Sequence, residues 1–299
     1  MKIATSQTSV HDFYVCPACK GHLREEQDLL LCSTYSQTYP TREGICDFLR
    51  EKLAQSADSE LRRMTTIDRM AAIYETRLWY PIVLNLFGGF HCLSLEQLIR
   101  TVTEKLESTN GRLIDIACGP GTYGRRIASP SKEVFGIDVS MGMLRQGVAY
   151  TMKEDICDMH FARARVEALP FASGFFDGAL CCGSLHLFTD TVKALREIAR
   201  VMKPGAVLSV FTFTAGSAGI LKFRGVREWY RREHSLHVFE IPEMEQYLRA
   251  SGFEGFRPEV SRVFRILCKC KFLKTRRDVW ESTKESSTSC LRITRDLRT

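Results

Sequence analysis

The residues of this 299-residue chain whose types and spacing can do chemistry fall in three places. The first is a glycine-rich turn, Leu113-Ile114-Asp115-Ile116-Ala117-Cys118-Gly119-Pro120-Gly121-Thr122-Tyr123-Gly124. Gly119 and Gly121 remove side chains where the backbone must bend sharply and a ligand must come close. Asp138 stands at the tip of the next apolar run, Phe135-Gly136-Ile137-Asp138-Val139. A carboxylate there can accept hydrogen bonds from both hydroxyls of a ribose, so turn and acid together describe a nucleoside site. Gly119-x-Gly121-x-x-Gly124 also fits the dinucleotide fingerprint, which leaves the ligand class open on spacing alone. The second place is His186, in Gly183-Ser184-Leu185-His186-Leu187-Phe188. A neutral imidazole there can accept a proton or hydrogen-bond a substrate; its other reading is a loop anchor. The third is Cys16-Pro17-Ala18-Cys19 with Cys32 beyond it. Two thiolates three apart on a tight turn, joined by another, can hold one tetrahedral Zn²⁺.

The elements that must position these residues are legible in outline. From Arg112 onwards, short apolar runs alternate with amphipathic segments. Strands are expected at Arg112–Ala117, Glu133–Val139, Met159–Ala164, Gly178–Gly183 and Ala206–Phe213, with a clear helix at Thr191–Met202. Such alternation predicts an α/β fold, a parallel sheet covered by helices on both faces. Phe253–Val260 and Val263–Lys271 read as two final antiparallel strands. Upstream, Leu61, Met64, Ile67 and Met70 recur at intervals of three and predict a helix. Pro81 and Gly88-Gly89 are expected to break that region, and a second helix runs from Ser94 to about Glu107.

Leu169-Pro170-Phe171 follows the third expected strand, Phe175-Phe176-Asp177 leads into the fourth, and Arg200-Val201-Met202-Lys203-Pro204-Gly205 turns into the fifth. Together with the glycine turn and Asp138, in this order, they resemble the class I S-adenosylmethionine-dependent methyltransferases. They resemble in particular the branch containing the ubiquinone/menaquinone-biosynthesis methyltransferases. The resemblance covers about 70–270. It implies a Rossmann-like seven-stranded sheet, mostly parallel with the last strand antiparallel, and S-adenosylmethionine as cofactor. It also implies roles. Asp115, Ala117, Gly119 and Gly121 cradle the methionine half; Ala117 stands where many members carry glycine. Asp138 and Val139 hold the ribose, Met143 packs on adenine, and Val166 and Glu167 border the adenine. Tyr74, in Ile73-Tyr74-Glu75, reaches the methionine carboxylate. Cys182 and Gly183 end the fourth strand beside the reacting sulfonium. Arg165 departs from the pattern, since an acceptor usually stands there and a guanidinium has none.

The segment from Cys16 to Leu49 resembles the small zinc-ribbon-like domain found before some methyltransferase domains. Tyr35 occupies the position expected for a fourth cysteine, leaving His22, His11, Cys46 or water to complete a metal shell. The other reading is a degenerate ribbon held by its apolar core, with free thiols. The expected organisation is therefore a ribbon-like module at 1–50, a helical lid or linker at 51–110, the cofactor-binding domain at 111–273, and a basic, flexible tail at 274–299.

Composition bounds the rest. No apolar run reaches about 18 residues, so no spanning helix is expected. Met1 to Val15 lacks a basic-then-apolar signal pattern, which makes the cytoplasm the expected compartment and thiols the expected state of the 12 cysteines. The net charge of +7 arises wholly from Ser261 onwards, where 11 basic residues face 4 acidic ones. The body before it is formally neutral. That balance, with Trp79, Tyr80, Phe87, Phe90, Leu187, Phe188, Phe211 and Phe213 near the expected site, suits a small, weakly polar or aromatic acceptor. Two other readings stay open. One is an RNA methyltransferase whose ribbon docks the nucleic acid, with Arg224, Arg227, Arg231 and Arg232 as a basic face. The other is an inactive cofactor-binding scaffold.

Overall fold

The computed structural model describes residues 10–49, 74–76, 79–88, 94–213, 220, 223–234, 237–260 and 264–270. The helix expected around Leu61–Met70 and the tail at 274–299 lie outside the described residues.

The strands are β1 (Leu23–Glu26), β2 (Leu29–Cys32), β3 (Gln37–Arg42), β4 (Ile45–Asp47), β5 (Gly111–Ile116), β6 (Lys132–Asp138), β7 (Met159–Arg163), β8 (Phe176–Cys182), β9 (Met202–Thr212), β10 (Phe253–Val260) and β11 (Phe264–Cys270). They form one 11-stranded sheet in the order β1-β2-β3-β4-β7-β6-β5-β8-β9-β11-β10. β5 pairs in parallel with β6 and β8, and the parallel set runs from β7 to β9. β11 then inserts antiparallel between β9 and β10. The seven-stranded order β7-β6-β5-β8-β9-β11-β10 is the Rossmann-like sheet that the resemblance implied. Among the described residues the helices are α1 (Trp79–Gly88), α2 (Leu95–Thr103), α3 (Gly124–Ile127), α4 (Met141–Lys153), α5 (Thr191–Val201), α6 (Arg224–His234) and α7 (Ile241–Ala250). None is long and apolar enough to cross a membrane.

One expectation is corrected. Pro81 does not break a helix; it sits in the first turn of α1, where its missing N–H has no intrahelical acceptor to lose. The N-terminal module is joined to the main sheet. β4 pairs in parallel with β7, Cys46 opposite Ala162 and Asp47 opposite Arg163, so the ribbon-like hairpins continue the main sheet. Local pattern could not show this, because the paired residues are far apart in sequence.

Side chains seal the junction. Phe135 and Phe171 are fully buried, their rings 5.6 Å apart. Phe176 meets Phe171 edge-on at 4.7 Å. From the module, Phe13 packs on Phe135 at 5.5 Å and Tyr14 on Phe171 at 5.3 Å. The motif phenylalanines Phe171, Phe175 and Phe176 are thus the hinge of one core shared by module and sheet. Replacing Phe171 by Ala leaves a cavity between both parts. A loss of about 3–5 kcal/mol is expected for Phe171→Ala in urea unfolding followed by tryptophan fluorescence. A loss below about 1 kcal/mol contradicts this shared core.

Candidate functional site

The glycine turn begins where β5 ends. Backbone φ values of +52° at Ala117, +56° at Gly119 and +76° at Gly121 place alternate residues in the left-handed region. The turn is tied in place, the Cys118 N–H donating to the Ile137 carbonyl at 3.1 Å and the Gly121 N–H to the Cys118 carbonyl at 2.9 Å. Neighbours enforce it. A Cβ on Gly121 would meet Met159 Cε at 2.7 Å and Phe161 at 3.1 Å, so the turn has no room for a side chain. Ala117 adopts a conformation that suits glycine, which is why glycine is common at this position among the methyltransferases that the turn resembles.

Two carboxylates hold the turn from below and from the side. Asp115, buried, accepts a hydrogen bond from the Gly124 N–H at 3.0 Å on Oδ2. Its Oδ1 is buried without a partner. Burial pushes its pKa up to about 7; the Gly124 N–H opposes that shift, and the Asp138 charge adds to it. Asp138, at the tip of β6, accepts from the Gly119 N–H at 2.8 Å and from the Ser140 N–H at 2.8 Å. Ser140 also caps α4, its Oγ accepting from the N–H of Met143. Met143 is buried. Val139 follows Asp138, and its carbonyl accepts from Arg163 Nε at 2.8 Å.

The segment around Tyr74 lies over the turn. A Cβ on Gly119 would find Tyr74 Cε1 at 3.8 Å as its neighbour. Burial raises the Tyr74 hydroxyl to about 12, so it stays protonated. The clamp that brings it there was not foreseen. Arg125, 4% exposed, donates to both oxygens of Glu75 and to Glu154, and stacks on Tyr150 at 4.7 Å. Thr122 donates to Glu75, and Tyr80 donates to Thr122 at 3.3 Å. Burial works against the Arg125 charge, and Glu75 and Glu154 outweigh it. No local spacing signals this, since Glu75 and Arg125 are 50 residues apart; an arginine directly after the glycine turn is the one available hint.

The other wall comes from β7, β8 and β9. Val166 and Glu167 lie on a 3-10 turn, Val166–Ala168. Arg165, the departure from the expected acceptor, pairs with Glu167 at 3.4 Å. At the end of β8, Cys182 is buried and Gly183 has φ +75°, its N–H donating to the Phe211 carbonyl at 2.8 Å. A Cβ on Gly183 would meet nothing closer than Phe211 at 4.0 Å, so the strand end is open. His186 follows on the turn Leu185–Leu187, with Nδ1 3.3 Å from Thr212 Oγ1 and its ring 6.0 Å from Phe213. Burial lowers its pKa to about 4, so the imidazole is neutral near pH 7. Phe211 and Phe213 are buried, and Leu187 is exposed. Phe87 lies on α1, and Phe90 lies outside the described residues.

The fit to S-adenosylmethionine rests on these features. An orphaned carboxylate oxygen suits an ammonium, a left-handed turn without side chains leaves room above it, and a strand-tip acid stands beside both. Cys16, Cys19 and Cys32 form a second cluster, their sulfurs all within 4.8 Å of one another. Tyr35 is exposed, and Cys46 stands elsewhere, 3.6 Å from Thr41 Oγ1. Neither His22 nor Cys46 joins the thiol group found among the described residues.

Residues 113–205 match the family model described as a methyltransferase domain. An O-methyltransferase of Aspergillus sclerotiorum is 29% identical over 211 residues, covering 66% of this chain and 77% of that protein. A ubiquinone/menaquinone biosynthesis C-methyltransferase of Pectobacterium atrosepticum is 36% identical over 109 residues, 35% of this chain and 43% of the relative. The chain spans under half the length, 32% and 44%, of two plant relatives. A Thermotoga maritima structure described as a possible histamine N-methyltransferase superposes with a TM-score of 0.53 at 18% identity, covering 70% of this chain and 99% of the other. At that identity the likeness shows the fold.

Ala117 offers a direct measure of the strain in the turn. Ala117→Gly is expected to raise unfolding free energy by about 0.5–1 kcal/mol, because relief of the left-handed alanine exceeds the added flexibility of the unfolded chain. Differential scanning calorimetry checks the sign; a lower midpoint for the glycine variant contradicts it.

Proposed function

We propose, from the premise that this chain carries a class I S-adenosylmethionine-dependent methyltransferase domain, that it methylates a small, weakly polar acceptor of quinol or phenol-like polyketide character. The observation that carries this reading is the pairing of a preformed nucleoside cradle with a neutral, largely aromatic wall. Gly119 and Asp138 form the cradle, and Phe211, Phe213 and neutral His186 form the wall. The relatives whose names specify quinone biosynthesis and O-methyl transfer support the acceptor class.

Bound S-adenosylmethionine supplies a methyl group on a positively charged sulfur, already activated for displacement. The residues therefore have to bind, align and exclude water, not to form a covalent adduct. Asp115 Oδ1 takes the ammonium of the amino-acid end, and Tyr74 reaches its carboxylate. Asp138 takes the ribose hydroxyls. Val139, Met143, Val166 and Glu167 border the base. Cys182 and Gly183, at the open end of β8, leave room for the acceptor to approach. His186 hydrogen-bonds the acceptor. With a pKa near 4 it is a weak base, so an acceptor that ionises readily, such as a phenol or a quinol, suits it better than an alcohol.

The test of the whole reading is calorimetry with S-adenosylhomocysteine, followed by a transfer screen over phenols, quinols and structured RNA. No cofactor binding removes the enzyme reading. Transfer to RNA alone, with steep salt dependence, replaces the small acceptor by the nucleic-acid alternative.

Two predictions follow from the titrating groups. Unliganded Asp115 has a folded pKa above its unfolded value, so the free fold loses stability as pH rises from about 4 to about 7. Pairing with an ammonium favours the carboxylate, so cofactor uptake near pH 7 releases a proton. Binding enthalpies in buffers of different ionisation heat will show that release in the native protein and not in Asp115→Asn. For His186, the Gln variant is expected to keep kcat within about ten-fold, while His186→Ala loses about 100-fold. Equal losses in both variants, with an acid limb in the pH–rate profile, contradict a hydrogen-bonding role.

A further inference from the structure

The cysteine turn reaches Leu169, the residue after the Val166–Ala168 turn, through one side chain. Lys20 directly follows Cys19, and its N–H donates to the Cys16 carbonyl at 2.8 Å, closing the turn that carries both thiols. Its ammonium reaches into the main domain, donating to the Leu169 carbonyl at 3.1 Å and to Glu197 at 2.8 Å. Glu197 in turn accepts from the Leu169 N–H at 2.9 Å and pairs with Arg200 at 2.7 Å. Arg200 also donates to the carbonyls of Leu169 and Phe171. One residue before the cysteines, the Val15 N–H donates to the Pro170 carbonyl at 2.9 Å. Both peptide groups of Leu169 are therefore held from the N-terminal module or from α5, and Leu169 directly follows the turn that carries Val166 and Glu167.

The thiols suit a soft divalent metal. A tetrahedral zinc with Zn–S of about 2.3 Å sets its sulfurs about 3.8 Å apart. Cys19 and Cys32 stand at 3.5 Å, and Cys16 lies within 4.8 Å of both. The Gly21 N–H donates to Cys19 Sγ at 3.3 Å, an outer contact of the kind that steadies a thiolate ligand. Cys16 and Cys32 are buried and Cys19 is partly open, which leaves a fourth coordination position on the solvent side.

We infer that Cys16, Cys19 and Cys32 bind one Zn²⁺, with a solvent molecule as fourth ligand, and that the metal braces the adenosine side of the cofactor site through Lys20 and Leu169. Zn²⁺ replaces the three thiol protons, which pass to solvent, and fixes the turn from which Lys20 projects. The brace rests on the cofactor reading above; the metal site does not.

The test uses the full chain. Zinc content after gel filtration, and the thiolate-to-metal absorption of Co²⁺-loaded protein, count the site. Calorimetry with S-adenosylhomocysteine, on zinc-loaded and chelator-treated protein, reads the brace. About one zinc per chain, lost in Cys19→Ser, is expected, with cofactor affinity about five-fold weaker without metal. Lys20→Met is expected to keep its zinc yet bind the cofactor as weakly as metal-free protein, and Lys20→Arg to restore the affinity. No stoichiometric metal and no cobalt band overturn the site. Equal affinities with and without bound zinc, or unchanged affinity in Lys20→Met, overturn the brace. If the zinc-loaded protein binds no cofactor at all, the methyltransferase reading fails and the brace with it, while the metal count still decides the site.

Discussion

The Gly119 N–H rests on Asp138 at 2.8 Å, and the Gly124 N–H rests on Asp115 at 3.0 Å. Between these two bonds the chain must leave β5, pass through left-handed backbone at Ala117, Gly119 and Gly121, and enter α3. Much of the rest of the domain serves that passage. Both carboxylates stand on adjacent parallel strands, so the register of β5 against β6 sets their spacing. Met159 and Phe161 on β7 fill the space beneath Gly121, Gly124 and Gly136, which is why a Cβ at those glycines would collide. The site is thus a packing consequence of several strands, not the property of one motif.

Charge burial explains how the upper half is held. Arg125 carries a guanidinium into the interior with two carboxylates around it, and Glu75 brings the Tyr74 segment to the turn as it does so. A buried ion of this kind is costly to strand, so loss of either partner penalises the fold more than the pair stabilises it. The arrangement fixes the Tyr74 segment, whose ring also packs on Trp79 and Tyr80.

Legibility in the sequence followed the range of the interaction. β5, β6, β7 and β8 were readable within one or two residues, because strand, glycine turn and strand-tip acid are neighbours in the chain. The short turn between the last two strands also anticipated that β11 runs antiparallel to β10, but not its insertion beside β9. Pro81 misled because a proline signals a boundary without saying on which side the helix lies. Glu75 with Arg125, Lys20 with Glu197, and β4 with β7 were silent, since each joins residues that only the folded sheet brings together. Among the cysteines, Cys16, Cys19 and Cys32 do converge, while the expected fourth position, Tyr35, points to solvent.

The pairing of β4 with β7 has a consequence for solubility. Without β4, β7 would be the rim of a parallel sheet, with a row of unpaired peptide groups flanked by apolar Phe161 and Ala162. Such rims recruit strands from other molecules. The N-terminal hairpins occupy that rim and pass the edge on to β1, a four-residue strand with Arg24, Glu25 and Glu26 exposed. Short, charged edges discourage further growth of a sheet. The module therefore caps the sheet on the β7 side, while β10 forms the opposite edge.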